Sequence, residues 1–110
     1  MVDEEKVRKL LYDDEEYLKE FAGAAVESYT EFRNHYARAF ETGDVEFLRK
    51  AGHKIKPSAQ MLEFEELLEE YEHGKNLLEG ESDKEEKETS VDRMTKLCDQ
   101  IIVEMKELES

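Results

Sequence analysis

Leu18, Phe21, Ala25, Tyr29, Phe32, Tyr36 and Phe40 recur at intervals of three or four residues. That spacing puts them on one stripe of a helix and on no single face of a strand. The run predicts one long amphipathic helix opening at Asp14, whose short carboxylate side chain suits the N-cap position. No segment alternates at period two, and Pro57 is the only proline in 110 residues, so helices are expected throughout.

The neighbouring segments follow the same pattern. "EEKVRKLLYDD" carries Val7, Leu10 and Leu11 and predicts a short leading helix that ends near Asp13 and Asp14 and caps one end of a bundle. In "ETGD", Gly43 is the residue able to take a positive φ at the end of the long helix, and Asp44 caps the next. Leu48, Gly52, Ile55, Ala59 and Leu62 form the stripe of that helix; Phe64, Leu67, Leu68, Tyr71 and Leu78 form another, broken near Gly80 and Ser82. Its start is unmarked, because "MLEFEEL" contains no glycine. Val91, Met94, Cys98, Ile101, Met105 and Leu108 define the last. Residues 1–110 are therefore expected to form a single all-α domain, an antiparallel up-and-down four-helix bundle with a short additional N-terminal helix.

Charge narrows the partners. A formal net charge of -14 argues against nucleic acid, whose phosphates are bound by clustered Lys and Arg. The chain has no 18-residue apolar run, and "MVDEEKVRKL" lacks the apolar centre of a signal peptide, so no membrane partner and a cytoplasmic location are expected. The same surplus of negative charge disfavours self-association and favours a monomer. Cys98 stands alone and falls on an apolar stripe, where a buried, inert thiol is the common outcome. The acidic run "EGESDKEEKE" reads as a solvated turn and the first turn of a helix.

One stretch departs from the acidic background. From Val45 to Leu62 the basic residues are Arg49, Lys50, Lys54 and Lys56 and the only acid is Glu46, a local net charge of +3. At about 100° per residue, His53 points away from the stripe of Gly52 and Ile55 and toward solvent. Arg49, Lys50, Lys56, Pro57 and Gln60 share its outer surface by their three- and four-residue spacing. Ammonium groups around an exposed imidazole favour the neutral, nucleophilic ring and would offset the charge of a phosphoryl group bound to it. Spacing alone leaves two readings open: that acceptor site, or a polar residue on a solvated helix face. His35, one position off the long stripe, reads as packing at its edge, and His73 before Gly74 reads as lying near a helix end.

The stretch from about Tyr17 to Leu78 resembles the histidine-containing phosphotransfer domains of bacterial and plant phosphorelays. The resemblance is carried by a long helix, a "GD" turn, "LRKAGHKIKPSAQML" and a following amphipathic helix. The family pattern is a histidine, a lysine three residues on, then small residues, and a leucine nine after the histidine. Here those positions are His53, Lys56, Pro57, Ser58, Ala59 and Leu62. The resemblance implies that His53 takes a phosphoryl group from the aspartate of one receiver domain and passes it to another, with Lys56 balancing charge. It implies response-regulator receivers and a hybrid histidine kinase as partners, no autokinase activity, no cofactor of its own, and Mg²⁺ held by the receiver. The surface that meets a receiver would be Arg49, Lys50, Lys54, Pro57 and Gln60, with Phe47 and Met61 as apolar candidates.

Two positions depart from the pattern. The family most often has glycine four and ten residues after the histidine; here Pro57 and Glu63 stand there. A proline removes the N–H that would bond the carbonyl of His53 and crowds that carbonyl, so a bend convex toward solvent is expected, raising His53 on a crest. The two departures also keep open a helical adapter that docks on receivers without accepting phosphate.

Overall fold

Aspartate opens four of the five helices in the computed structural model, which describes residues 1–110 and contains no strand. The helices are α1 (Glu4–Leu10), α2 (Glu15–Thr42), α3 (Val45–Met61), α4 (Glu65–Glu79) and α5 (Lys84–Glu109). The side chains of Asp3, Asp14, Asp44 and Asp83 each accept a hydrogen bond from the backbone N–H three residues on. Each satisfies one of the donors a helix start leaves unpaired. Only α4 starts without a side-chain cap, at Phe64.

Two helix ends share one backbone solution with different residues. At the end of α2, Gly43 takes φ 72° and the N–H of Asp44 bonds the carbonyl of Ala39 at 3.0 Å. At the end of α3, Glu63 takes φ 57°, with Glu63 N–H on the carbonyl of Gln60 at 3.2 Å and Phe64 N–H on that of Ala59 at 2.9 Å. This is the paired closure of a Schellman motif, and glycine is its favoured residue because a side chain is strained at positive φ. Glu63→Gly is expected to stabilise the fold by about 1 kcal/mol, after the strain relief is set against the greater freedom of glycine in the unfolded chain. The Lys6–Glu63 ion pair that it removes lies at the surface, with Lys6 half-buried and Glu63 exposed, and contributes little. An unchanged or lower midpoint in urea would show that Glu63 is not strained.

The four long helices bury their stripes against one another: α2 packs on α3 and α5, and α4 packs on α3 and α5. At 1.5 Å per residue, α2 is about 42 Å long, which accounts for most of the 47 Å long axis of this helical bundle. A single cluster of 22 buried residues fills the interior, with Val7 and Leu11 bringing α1 into it. The leading segment is also tied down by charge. The Met1 ammonium lies 3.1 Å from Glu104, and Lys6 pairs with Glu63 beyond α3.

Burial follows the sequence stripes with local shifts. In α2, Phe21 and Phe40 are half-buried, while Ala22 and Ala39 are fully buried. In α4, Leu77 is buried and Leu78 half-buried. The "HG" of α4 does not mark a helix end: His73 and Gly74 lie inside a helix that continues to Glu79. Gly74 is buried, and a side chain there would collide with the Tyr36 hydroxyl. Three tyrosines bury their rings and satisfy their hydroxyls: Tyr29 with Ser58 Oγ at 3.0 Å, Tyr36 with Ser90 Oγ at 2.7 Å, and Tyr71 donating to the carbonyl of Leu48 at 3.5 Å. Burial pushes the Tyr29 phenol up to about 12 and the Cys98 thiol up to about 12. The thiolate needed for redox chemistry is thereby suppressed.

Candidate functional site

The inner face of α3 is Leu48, Ala51, Gly52, Ile55 and Ala59, all buried. Because the helix period fixes what lies opposite, Lys50, His53, Pro57 and Gln60 line the outer face, and all four are exposed. The imidazole of His53 therefore stands in solvent at the middle of a helix whose inner face is anchored in the core. Its ring contacts no carboxylate, unlike that of His35, whose Nδ1 lies 3.8 Å from Glu31. The helix runs unbroken through Pro57 for another turn to Met61. Proline leaves the His53 carbonyl without its intrahelical donor, on a face where water can take that place.

The flanks of α3 are held by its neighbours. Toward α2, Lys54 Nζ lies 2.9 Å from Glu31 Oε1, and Ser58 meets the Tyr29 hydroxyl. Toward α4, Lys56 Nζ lies 3.1 Å from Glu72 Oε1 and Arg49 lies 2.9 Å from Glu79 Oε1, with a second contact to Glu46 at 3.2 Å. Of the four bases of this segment, only Lys50 pairs with no carboxylate. The surplus of positive charge counted along α3 is therefore met by Glu31, Glu72 and Glu79 from the two adjacent helices. Lys56 is directed to Glu72 across the α3–α4 boundary.

Glu72 is the junction of this flank. Its carboxylate contacts both Lys56 and Lys75, the latter at 2.9 Å, and both ammonium groups also lie over the ring of Tyr71, at 5.2 and 5.8 Å from its centre. Lys75 and then Lys56, as hydrogen-bond donors, hold the Glu72 carboxyl below the usual glutamate range. Lys54 does the same for Glu31. Reading α3 alone misses Glu31, Glu72 and Glu79, because nothing in a helical period says which residue of another helix will face a given lysine.

The apolar candidates divide. Met61 is exposed. Phe47 is half-buried, its ring 4.9 Å from that of His35 and under the Arg38 guanidinium at 5.8 Å. The groove between α2 and α3 holds about 50 Å³, well short of the roughly 300 Å³ at which small-molecule pockets begin. A larger, open groove of about 500 Å³ lies between α4 and α5, lined among others by Glu66, Glu70, His73, Arg93 and Lys96, with no residue of α3. No cluster of three or more His, Cys, Asp or Glu side chains is arranged to hold a metal ion, and no helix is long and apolar enough to cross a membrane. No family model, curated protein or solved structure matches the chain.

Proposed function

We propose that the chain is a histidine phosphotransfer protein that carries a phosphoryl group between receiver-domain aspartates on His53. The observation that carries this reading is the placement of His53: a solvent-facing imidazole, engaged in no ion pair, on the outer stripe of a helix held rigidly from behind. Rigid support and open approach are what a side chain needs to meet a reactive centre on another protein. The antiparallel up-and-down course of α2 to α5 belongs to the same reading. It is supported by short connections and by the pairing of Tyr29 with Ser58 and of His35 with Phe47, in which α2 numbers rise as α3 numbers fall.

In the transfer step, the lone pair of the unprotonated ring nitrogen attacks phosphorus and a P–N bond forms. The P–O bond to the receiver's aspartate breaks, and the aspartate leaves as a carboxylate with the electron pair. The proton on the other ring nitrogen passes to solvent. Return transfer reverses these changes. Lys56, one turn from His53, is an ammonium that could meet the phosphoryl oxygens by turning away from Glu72.

Mixed with a phosphorylated receiver, the protein is expected to gain an acid-labile, base-stable label that His53→Gln abolishes. Label persisting in that variant would refute the assignment. Lys56→Ala is expected to slow transfer about tenfold or more with the fold intact, a charge-assisted contact being worth roughly 1.5–3 kcal/mol. A specific observation favours a second reading: Lys56 is already occupied by Glu72. In that reading the chain is an adapter that binds receivers without accepting phosphate, and receiver binding with no detectable phosphohistidine would establish it.

A further inference from the structure

We infer that Glu72 and Lys75 regulate His53 by competing for, and substituting for, Lys56; the inference rests on the phosphotransfer reading above. Glu72 lies between two ammonium groups, Lys56 at 3.1 Å and Lys75 at 2.9 Å, on different helices. A carboxylate with one cationic partner would lose its only counter-charge if that partner moved. Glu72 keeps Lys75 when Lys56 leaves, so Lys56 can turn to a new anion without stranding a charge. All three side chains are at least one quarter exposed, so the exchange needs only rotamer changes and no movement of backbone.

The aromatic floor works in the same direction. Lys56 and Lys75 both lie over Tyr71, whose ring is fixed beneath Gly52, the residue next to His53. The negative ring face holds each ammonium near the α3–α4 boundary in either pairing. Glu72 thus retains Lys56 while His53 is bare, and Lys75 makes its release inexpensive once a phosphoryl dianion is present. Glu72 and Lys75 are positioning residues: they act on the phosphoryl group only through Lys56.

The two residues should have opposite effects on where the phosphoryl group rests. Using the full chain and a phosphorylated receiver, the experiment reads the equilibrium ratio of phosphohistidine to phosphoaspartate. Glu72→Gln frees Lys56 and should raise that ratio about two- to fivefold, the range of an exposed ion pair. Lys75→Gln leaves Glu72 dependent on Lys56 and should lower it by a similar factor. In a Lys56→Ala background neither substitution should move the ratio. The control Glu31→Gln, which removes a carboxylate paired instead with Lys54, should have no comparable effect. If Glu72→Gln still raises the ratio without Lys56, or Glu31→Gln raises it equally, the effect is that of net charge and the inference falls. If both variants match the parent while the parent forms phosphohistidine, the inference fails and phosphotransfer stands. If the parent forms none, both fail.

Discussion

Gly52→Ala is expected to destabilise the protein by about 2 kcal/mol in chemical denaturation, although alanine is the better helix former. A Cβ at this position would lie 2.1, 2.2 and 2.4 Å from Cζ, Oη and Cε1 of Tyr71. The ring has little freedom to yield: it is buried, lies 6.3 Å from the Phe32 ring, and donates its hydroxyl to the Leu48 carbonyl. Overpacking of this kind costs about 3 kcal/mol at the upper end of the usual range, and the helix propensity of alanine returns about 1 kcal/mol. The same strain should reach the site, since Tyr71 carries Lys56 and Lys75 over its face. Tyr71→Leu removes the colliding ring atoms. The double variant should therefore be more stable than the sum of the two losses, and strict additivity would show that the contact is not the cause.

Much of the helical layout can be read from the chain because its signals are local. Gly43 and Asp44 end one helix and start the next through their own φ preference and side-chain length, and α2 and α3 meet at those residues. The turn between α3 and α4 was opaque for the complementary reason. Glu63 performs at φ 57° the part that Gly43 performs at 72°, and a glutamate carries no signal of it. Gly74 is equally silent. Nothing local marks it as a tertiary contact inside α4, made to the hydroxyl of a tyrosine 38 positions earlier.

The candidate site divides along the same line. The outward direction of His53 follows from a 100° period and needs no knowledge of any other helix. The state of its basic neighbours does not follow, since Lys54, Lys56 and Arg49 are each answered by a carboxylate on α2 or α4. Counting charge along one helix therefore overstated the positive field around the imidazole. Charge placed by packing is set by the fold as a whole, and here the fold adds one acid for each of these three bases.

Gly74→Ala is expected to be the more damaging of the two glycine substitutions, lowering stability by about 3 kcal/mol, because overpacking there also breaks a buried polar network. The new Cβ would fall 1.8 Å from the Tyr36 hydroxyl, 2.8 Å from its Cζ and 3.1 Å from Ser90 Oγ. That hydroxyl is buried, shares its hydrogen bonds between Ser90 Oγ at 2.7 Å and the carbonyl of Glu70 at 3.3 Å, and cannot swing away without leaving both. Ser90 in turn donates to Glu70 Oε2 at 2.7 Å, so the strain passes from α2 through α5 to α4. Tyr36→Phe alone should cost about 1 kcal/mol, since Ser90 keeps Glu70 as a partner. It also removes the atom nearest the added methyl. Gly74→Ala in the Tyr36→Phe background should then cost only about 1 kcal/mol more, a coupling far beyond the few tenths expected of independent sites. A full 3 kcal/mol loss in that background would mean that Gly74 is required by the approach of the helix backbones and not by the tyrosine hydroxyl.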